Sequence, residues 1–414
     1  MSTAALSLCA LGLVVLASLT SRINVGVLAV AFAAVIGVGV AGWKPDQVMA
    51  VFPSSLFLTL TGVTLLFGVM QTNGTMAAIT QGGVRLLGGR AAALPLMLFL
   101  LACGISTAGP GSIATAALLA PLAMGLAHRA GVPLLLAALM IGNGVNAGNL
   151  SSISAIGVLV NDLMTKAGLG GHGWSVWSAN FAAHALVAGV AWLLFGGPAL
   201  LRAPRSDAAI ERVVFTSTHW LTIAVTTAWM VAVVGLSLHP GLTAFAAASV
   251  LIITRLGDDT AVLRQVPWSV LVMVCGVSVL IGVLEKTGGM DLFTTLLSRF
   301  ATPNTVNGVI AGVTGLISTY SSTSGVVYPA FLPAVPGLVE KLGGGNALEV
   351  ALSVNVGAAL VDVSPLSTIG SLCIAAVPAG VDSKPLFRAL LIWGFAMTVV
   401  AALFCQLFIG IFAR

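Results

Sequence analysis

The chain has 414 residues, of which 58% are hydrophobic and only 7% are charged, with a net charge of +5. Soluble domains carry about 25% charged residues, so this composition excludes a soluble globular protein and indicates an integral membrane protein. In such a protein an excess of Lys and Arg mostly reflects cytoplasmic loops, so the positive charge does not indicate a nucleic-acid partner.

Apolar stretches long enough to cross a bilayer, about 20 residues each, predict an all-α polytopic protein in two halves. Residues 1–201 contain predicted spans near 4–20, 24–42, 53–72 and 179–200, a re-entrant hairpin at about 92–128 and a broken helix at about 134–163. A polar linker follows at 202–214. Residues 215–414 contain spans near 216–236, 240–255, 267–285 and 386–412, a hairpin at about 304–340 and a broken helix at about 347–378.

Two polar stretches within this apolar sequence, 104–154 and 316–366, match each other without a gap at an offset of 212 residues. The remaining spans, near 4–20, 24–42 and 53–72 in the first half and 216–236, 240–255 and 267–285 in the second, are called the frame helices. Two of them match at an offset of 214, where Pro53 pairs with Pro267 and Gly62 with Gly276. Each half then has five full crossings and one hairpin. Because five is odd, the second half is predicted to be inverted relative to the first, as in many secondary transporters.

The distribution of basic residues predicts the orientation. With the linker in the cytoplasm, eleven of the 17 Lys and Arg residues lie inside. The positive-inside rule therefore predicts both termini outside, in an inner (cytoplasmic) membrane.

The hairpins have the chemistry of an anion site. Gly-Pro-Gly at 109–111 interrupts a helix, which is expected to restart at Ala114 with unpaired N–H groups at its positive end. The matching bend in the second half is rich in hydroxyl groups. Two such ends could hold the two carboxylates of a small dianion, and the candidate substrate residues are Ser112, Ile113, Asn149, Ser152, Ser322, Ser324, Gly325, Ser364 and Pro365.

The broken helices add amide, hydroxyl and carbonyl oxygens, which suit Na⁺. Irregular backbone is tolerated at membrane depth only where it is buried in protein or lines a cavity. Candidate Na⁺ ligands are Thr107, Gly111, Asn143 and Ser151 in one cage and Thr319, Thr323, Asn355 and Val363 in its twin. The alternative is that these small polar residues only allow close helix packing.

Asp362 is the only acidic residue well inside a predicted span, which makes it a functional candidate. It could hold a cation, titrate, or cap the restarted helix. His184 and His219 have no acidic partner in the sequence and are interpreted as packing or interface residues.

Several stretches resemble the N-terminal region of MatC-type dicarboxylate (malonate) carriers: SRINVGVLAVAFA at 21–33, FPSSLFLTLTGVTLLFG at 52–68, NGTMAAI at 73–79, STAGPGSIATAALLAP and GNGVNAGNLSSISAIG. More distantly, the hairpin pattern before Pro121 and Pro333 is similar to the divalent anion/Na⁺ symporters of the ion transporter superfamily. That family's Ser-Asn-Thr motif is replaced here by 111–113 and 323–325. The resemblance implies a scaffold, a mobile transport domain, an elevator-type movement and a homodimer. The transport domain would comprise the hairpins, the broken helices and 179–200 with 386–412.

The sequence therefore predicts a sodium-coupled carrier of malonate or a C4-dicarboxylate, with Na⁺ as the coupling ion and no other cofactor. Two alternatives stay open. One is a sodium/proton antiporter, which would need Asp362 to exchange H⁺ for Na⁺. The other is the membrane subunit of a transporter that depends on a binding protein. An enzyme is not expected, because the sequence has neither a P-loop nor a nucleophile elbow on a strand.

Overall fold

The computed structural model describes residues 2–20, 23–85, 91–201, 214–236, 238–320, 322–378 and 380–414. Throughout these ranges the regular secondary structure is helical, with no strand. Five helices of the described chain are long and apolar enough to cross a bilayer, and shorter apolar helices accompany them. The predicted class, an all-α polytopic membrane protein, is confirmed.

The helices of the first half follow the predicted spans, with short helices added in the connections. Their bounds are Thr3–Thr20, Val25–Ala34, the π-helical Val35–Val40, Pro45–Met49, Ser54–Thr72, Thr75–Arg85, the 3₁₀ turn Ala91–Ala93, Leu94–Ala108, Gly111–Arg129, Leu134–Gly148, Ala155–Lys166, Gly173–Leu194 and Gly197–Leu200. The predicted linker at 202–214 lies outside the described residues except for Val214.

The second half has the same order of long helices. Its bounds are Ser217–Gly235, Pro240–Ile253, Asp259–Gln265, Trp268–Lys286, Gly289–Ser298, Val306–Tyr320, the π-helical Thr323–Val327, Tyr328–Phe331, Val335–Leu342, Ala347–Leu360, Thr368–Ala375, Lys384–Phe408 and the 3₁₀ turn Ile409–Ile411. Helix pairs thus occupy the ranges of the first predicted hairpin and of both predicted broken helices, and four helical segments occupy the range of the second predicted hairpin.

Two central helices, Leu134–Gly148 and Ala347–Leu360, are buried on all sides. Residues 136–148 and 350–360 have no exposed position. A helix that is apolar all round is one that other protein surrounds. The neighbours of the first include Leu94–Ala108 and Gly173–Leu194, and those of the second include Val306–Tyr320 and Lys384–Phe408. The interrupted helices therefore form the interior, and each continues into an irregular stretch.

Helices of the frame cross between the two halves at glycines. A Cβ on Gly276 would collide with the backbone of Gly26, where Trp268–Lys286 crosses Val25–Ala34. In the reciprocal crossing, Gly62 meets the backbone of Gly241, where Ser54–Thr72 crosses Pro240–Ile253. Small residues allow helices to approach this closely in a membrane. At each crossing a frame helix of one half thus packs on a frame helix of the other half.

We expect Gly276→Ala to lower the thermal stability of the purified protein, because the new methyl group overlaps the Gly26 backbone and forces the helices apart. Overpacking of this kind costs about 1–3 kcal/mol. The matched control is Gly189→Ala, since Gly189 has open space where its Cβ would lie. The two melting temperatures are compared in the same detergent. A stability loss of equal size in both variants would contradict the crossing.

Candidate functional site

A cavity of about 410 Å³ lies where the two halves meet. Both hairpins contribute to its wall, through Ser112 and Ile113 on one side and through Ser322, Thr323 and Ser324 on the other. The two equivalent serines, Ser112 and Ser324, therefore line one space. An adjoining and mostly apolar cavity of about 230 Å³ shares Ser112 and Ile113 with it.

The irregular stretches of the broken helices and the frame complete the wall. The former provide Asn149, Asp362, Leu366, Ser367 and Thr368, and the latter provides Asn24, Ser269 and Met273 among others. Hydroxyl and amide groups dominate the polar lining, Asp362 is the one acidic residue of it, and the described lining contains no Lys, Arg or His. Such a wall offers neutral hydrogen-bonding groups and a single negative charge.

The tip of the first hairpin is built on two glycines with positive φ. Gly109 has φ 148° and Gly111 has φ 77°, conformations that L side chains rarely adopt. The helix begins at Gly111, three residues before the expected Ala114, and Pro110 is its N-cap residue. The Gly109 carbonyl accepts a hydrogen bond from Ala155 N (3.0 Å) and joins the tip to the broken helix.

Asn149 caps this restarted helix from outside the hairpin. Its Oδ1 accepts a hydrogen bond from Ser112 N at 3.1 Å. The backbone N–H of Ser112, one of the helix-start groups predicted to bind an anion, is therefore already bonded to Asn149. The polar residues at this side of the cavity are therefore Ser112 from the hairpin and Asn149 from the broken helix, beside the apolar Ile113.

The second hairpin restarts differently. A five-residue π-helical turn, Thr323–Val327, precedes a short α-helical turn, and Ser322 Oγ accepts a hydrogen bond from Gly325 N (3.0 Å). This hairpin therefore provides its own cap. Ser318 Oγ lies within hydrogen-bond distance of Thr323 Oγ1 and donates to the Ala358 carbonyl at 2.9 Å, which joins the hairpin to the second broken helix.

The two helix breaks have the same pattern of hydrogen bonds, called the break circuit below. In the first, Ser154 Oγ donates to the carbonyls of Asn149 and Ser151 and accepts from Gly157 N. In the second, Ser367 Oγ donates to the carbonyls of Asp362 (2.6 Å) and Ser364 (2.7 Å) and accepts from Gly370 N (3.5 Å). One hydroxyl at each break thus satisfies three backbone groups.

The backbone bonds of the two breaks correspond in the same way. Ser154 N donates to Ser151 O and Ser367 N to Ser364 O, both at 3.0 Å. The circuits therefore superpose at an offset of 213, one residue more than the sequence alignment of this region. Ser364 corresponds to Ser151 and not to Ser152, and Asp362 corresponds to Asn149.

Of the predicted substrate residues, five line the cavity: Ser112, Ile113, Asn149, Ser322 and Ser324. The other four lie elsewhere. Ser152 is exposed beside Gly173, whereas Ser364 is buried against Gly394. Pro365 is buried as well, and the backbone of Gly325 lies against the side chain of Met273.

The first predicted cation set is brought together in part. Ser151 Oγ donates to the Thr107 carbonyl at 2.6 Å, next to the tip that contains Gly111. Asn143 is turned away from this group. Its Nδ2 donates to Leu139 O (2.9 Å) and its Oδ1 lies 3.0 Å from His184 Nδ1, so both side-chain atoms already have partners.

The second predicted cation set is more scattered. Thr323 lines the cavity, while Thr319 Oγ1 donates to the Gly315 carbonyl of its own helix at 3.0 Å. The Val363 side chain packs on Gly142, and Asn355 Oδ1 is buried without a partner among the described residues.

Sequence reasoning missed the frame's contribution to the cavity. Asn24 caps helix Val25–Ala34 and its Nδ2 donates to Ser269 O at 2.8 Å, which joins the two halves at the cavity wall. One signal was present, because Ser269 pairs with Ser55 in the repeat. Ser367 and Thr368 also line the cavity, although neither is among the candidate substrate or cation residues.

We expect Ser154→Ala and Ser367→Ala each to destabilise the protein, because each leaves several buried backbone groups with fewer partners, at about 1–3 kcal/mol. Ser371→Ala is the control, since Ser371 Oγ bonds only to Thr368 O on an exposed helix face. Thermal unfolding checks both. Unchanged melting temperatures in the two break variants would contradict the circuit.

Comparison with known proteins bears on the fold and on the N-terminal region. The structure is similar to that of the Alcanivorax borkumensis YdaH transporter, with TM-score 0.61 and 16% identity over 93% of this chain and 96% of that one. It is also similar to Neisseria gonorrhoeae MtrF, from a class of antimetabolite efflux pumps, with TM-score 0.54 and 12% identity over 98% and 94%. At these identities the likeness concerns the fold alone.

No curated protein matches the sequence significantly. Residues 1–149 match the family model described as "Dicarboxylate carrier protein MatC N-terminus". That match covers the first three predicted spans, the first hairpin and the central helix up to Asn149. Over residues 1–149 the chain is therefore similar to the N-terminal region of the MatC-type dicarboxylate carriers, and its fold as a whole is similar to the folds of these two solved proteins.

Proposed function

We propose that the protein is a secondary active transporter that takes up a small dicarboxylate, malonate first and C4 acids second, together with Na⁺. The observation that carries this proposal is the hydroxyl-rich cavity to which both hairpins and both helix breaks contribute. Ser112 and Ser324 approach it from the two halves and suit the two carboxylates of one small substrate. The family of residues 1–149 supports the substrate class.

The electrostatics of the cavity support co-transport of a cation. Two like unit charges 4 Å apart repel by about 4 kcal/mol at the effective dielectric constant near a protein surface. A dianion in this cavity meets the carboxylate of Asp362 and, among the described lining residues, no basic side chain. Binding therefore requires compensating cations, and hydroxyl, amide and carbonyl oxygens are hard ligands suited to them.

The contacts between the hairpins and the frame suit an elevator-type movement. Hydrogen bonds join the hairpins to the broken helices, through Ala155 to Gly109 and through Ser318 to Ala358. At their tips the hairpins instead make apolar contacts with the frame, Gly109 with the ring of Phe67 and Gly325 with Met273. The polar contact of the second hairpin with the helix Gly289–Ser298 lies away from the tip, at the ion pair between Lys341 and Asp291. Apolar contacts carry no directional bond that sliding must break. We therefore propose that the hairpins and the broken helices move together against the frame. The protein is proposed to lie in an inner membrane with both termini outside, as the distribution of basic residues predicts.

In proteoliposomes, an inward Na⁺ gradient is expected to drive uptake of labelled malonate. Ser112→Ala and Ser324→Ala should each weaken malonate binding about 5-fold, because one net hydrogen bond contributes about 1 kcal/mol. Ser178→Ala is the control, since Ser178 Oγ bonds to Ser175 O within its own helix. Binding is measured by thermal shift with and without Na⁺.

Malonate uptake that ignores the Na⁺ gradient would contradict the coupling. Proton release on Na⁺ addition without any anion would instead favour a sodium/proton antiporter. That alternative requires an acidic residue in the cavity, and Asp362 has this position. Unchanged malonate binding in both serine variants would contradict the placement of the substrate.

A further inference from the structure

The two breaks place an amide and a carboxylate at equivalent positions. Asn149 O and Asp362 O accept from the capping hydroxyls of Ser154 and Ser367, and both residues line the cavity. Asn149 N donates to Asn146 O (3.2 Å) and Asp362 N to Ala359 O (3.1 Å), again at an offset of 213. The site is thus built on a repeated backbone with one neutral and one acidic side chain.

The two side chains have different work to do. Asn149 uses its Oδ1 to cap the first hairpin at Ser112 N. The second hairpin needs no such cap, because Ser322 Oγ already accepts from Gly325 N. The side chain of Asp362 is therefore not needed to cap a hairpin, as that of Asn149 is. It also takes part in neither of the ion pairs found among the described residues, Lys166–Asp162 and Lys341–Asp291.

A carboxylate in this position needs a positive partner that the described wall does not supply. Uncompensated charges inside a membrane protein are costly and mark ion pathways. The same cavity wall carries the hydroxyl groups of Ser367, Thr368 and Thr323, and Ser367 is joined directly to Asp362 by the bond from its Oγ to the Asp362 carbonyl. A carboxylate with hydroxyl oxygens around it is a ligand set for a hard cation, and a carboxylate of the substrate would complete it.

We propose that Asp362 binds a Na⁺ ion directly and that the first half has no counterpart of this ion, because Asn149 is neutral and its single side-chain oxygen already accepts from Ser112 N. The ion lies between Asp362 and the nearer carboxylate of the substrate. The two ends of the substrate are then bound unequally, one by neutral groups at Ser112 and Asn149 and the other through a cation at Asp362. This inference rests on the proposed function for its substrate but not for its ion.

The test moves the charge between the two equivalent positions. Asp362→Asn, Asn149→Asp and the double variant that exchanges both residues are purified, and equilibrium binding of ²²Na⁺ is counted per protomer without substrate. Asp362→Asn is expected to bind about one Na⁺ fewer than the native protein at saturation, since it keeps the shape of the side chain and removes its charge. The exchanged double variant is expected to regain it, because the carboxylate introduced by Asn149→Asp can bind the ion with one oxygen while the other still accepts from Ser112 N.

Size-exclusion chromatography and thermal unfolding first establish that each variant is folded. An Asp362→Asn protein that binds as many Na⁺ ions as the native one would overturn the proposal. The proposal would also be overturned if the native protein released a proton from Asp362 and the Asp362→Asn substitution left the number of bound Na⁺ ions unchanged. A double variant with no more Na⁺ than Asp362→Asn would contradict the equivalence of the two positions.

The same variants separate this inference from the proposed function. If native protein in proteoliposomes takes up no dicarboxylate, the proposed substrate is wrong, yet the ²²Na⁺ count still decides the role of Asp362. If uptake is Na⁺-driven, dual labelling gives the ratio of Na⁺ to malonate. That ratio is expected to fall by about one in Asp362→Asn, through the linkage between ion and substrate binding. An unchanged ratio overturns the inference and leaves the proposed function intact.

Discussion

Everything in this site depends on interrupting helices at membrane depth without leaving backbone groups unbonded. Lipid offers no hydrogen bonds, so each freed N–H or C=O must find a partner inside the protein. Ser154 and Ser367 meet this requirement with a single hydroxyl each, which bonds three backbone groups at its break. Only with those groups satisfied can neighbouring side chains such as Asn149 and Asp362 face a cavity rather than repair the backbone.

The frame and the interior follow opposite packing rules. Frame helices cross with backbone against backbone at Gly26 and Gly276, and Asn24 adds a hydrogen bond to Ser269 O across the same junction. The hairpin tips meet the frame through the apolar side chains of Phe67 and Met273. Close crossings resist sliding, whereas apolar contacts tolerate it. The boundary at which a movement would occur is therefore set by residue size as much as by topology.

The sequence located the polar elements well but not the roles of individual atoms. Gly, Pro, Ser and Asn residues within sequence apolar enough to span a membrane predicted both hairpins. The equivalent serines Ser112 and Ser324 line one cavity. The register of the breaks was predicted one residue short. Across the break an offset of 213 pairs Ser151 with Ser364, Ser154 with Ser367 and Gly157 with Gly370, whereas an offset of 212 pairs only Ser152 with Ser364. The hydrogen bonds of Ser151 O and Ser364 O agree with the offset of 213. Asn24 was missed because a lone Asn at a helix start reads as an ordinary cap.

Asn143 and Asp362 show how a polar residue in such a protein is assigned a role. Because Asn143 Nδ2 donates to Leu139 O, its Oδ1 must face His184, whose Nδ1 therefore carries the proton. Both Asn143 atoms are then bonded, and the residue joins the buried helix Leu134–Gly148 to the helix Gly173–Leu194, although its sequence context matched a cation ligand. Asp362 has the same apolar context, yet it faces a cavity with no described basic neighbour. Composition says where polar groups are, but the partners already bound to each atom decide which of them is left for a ligand.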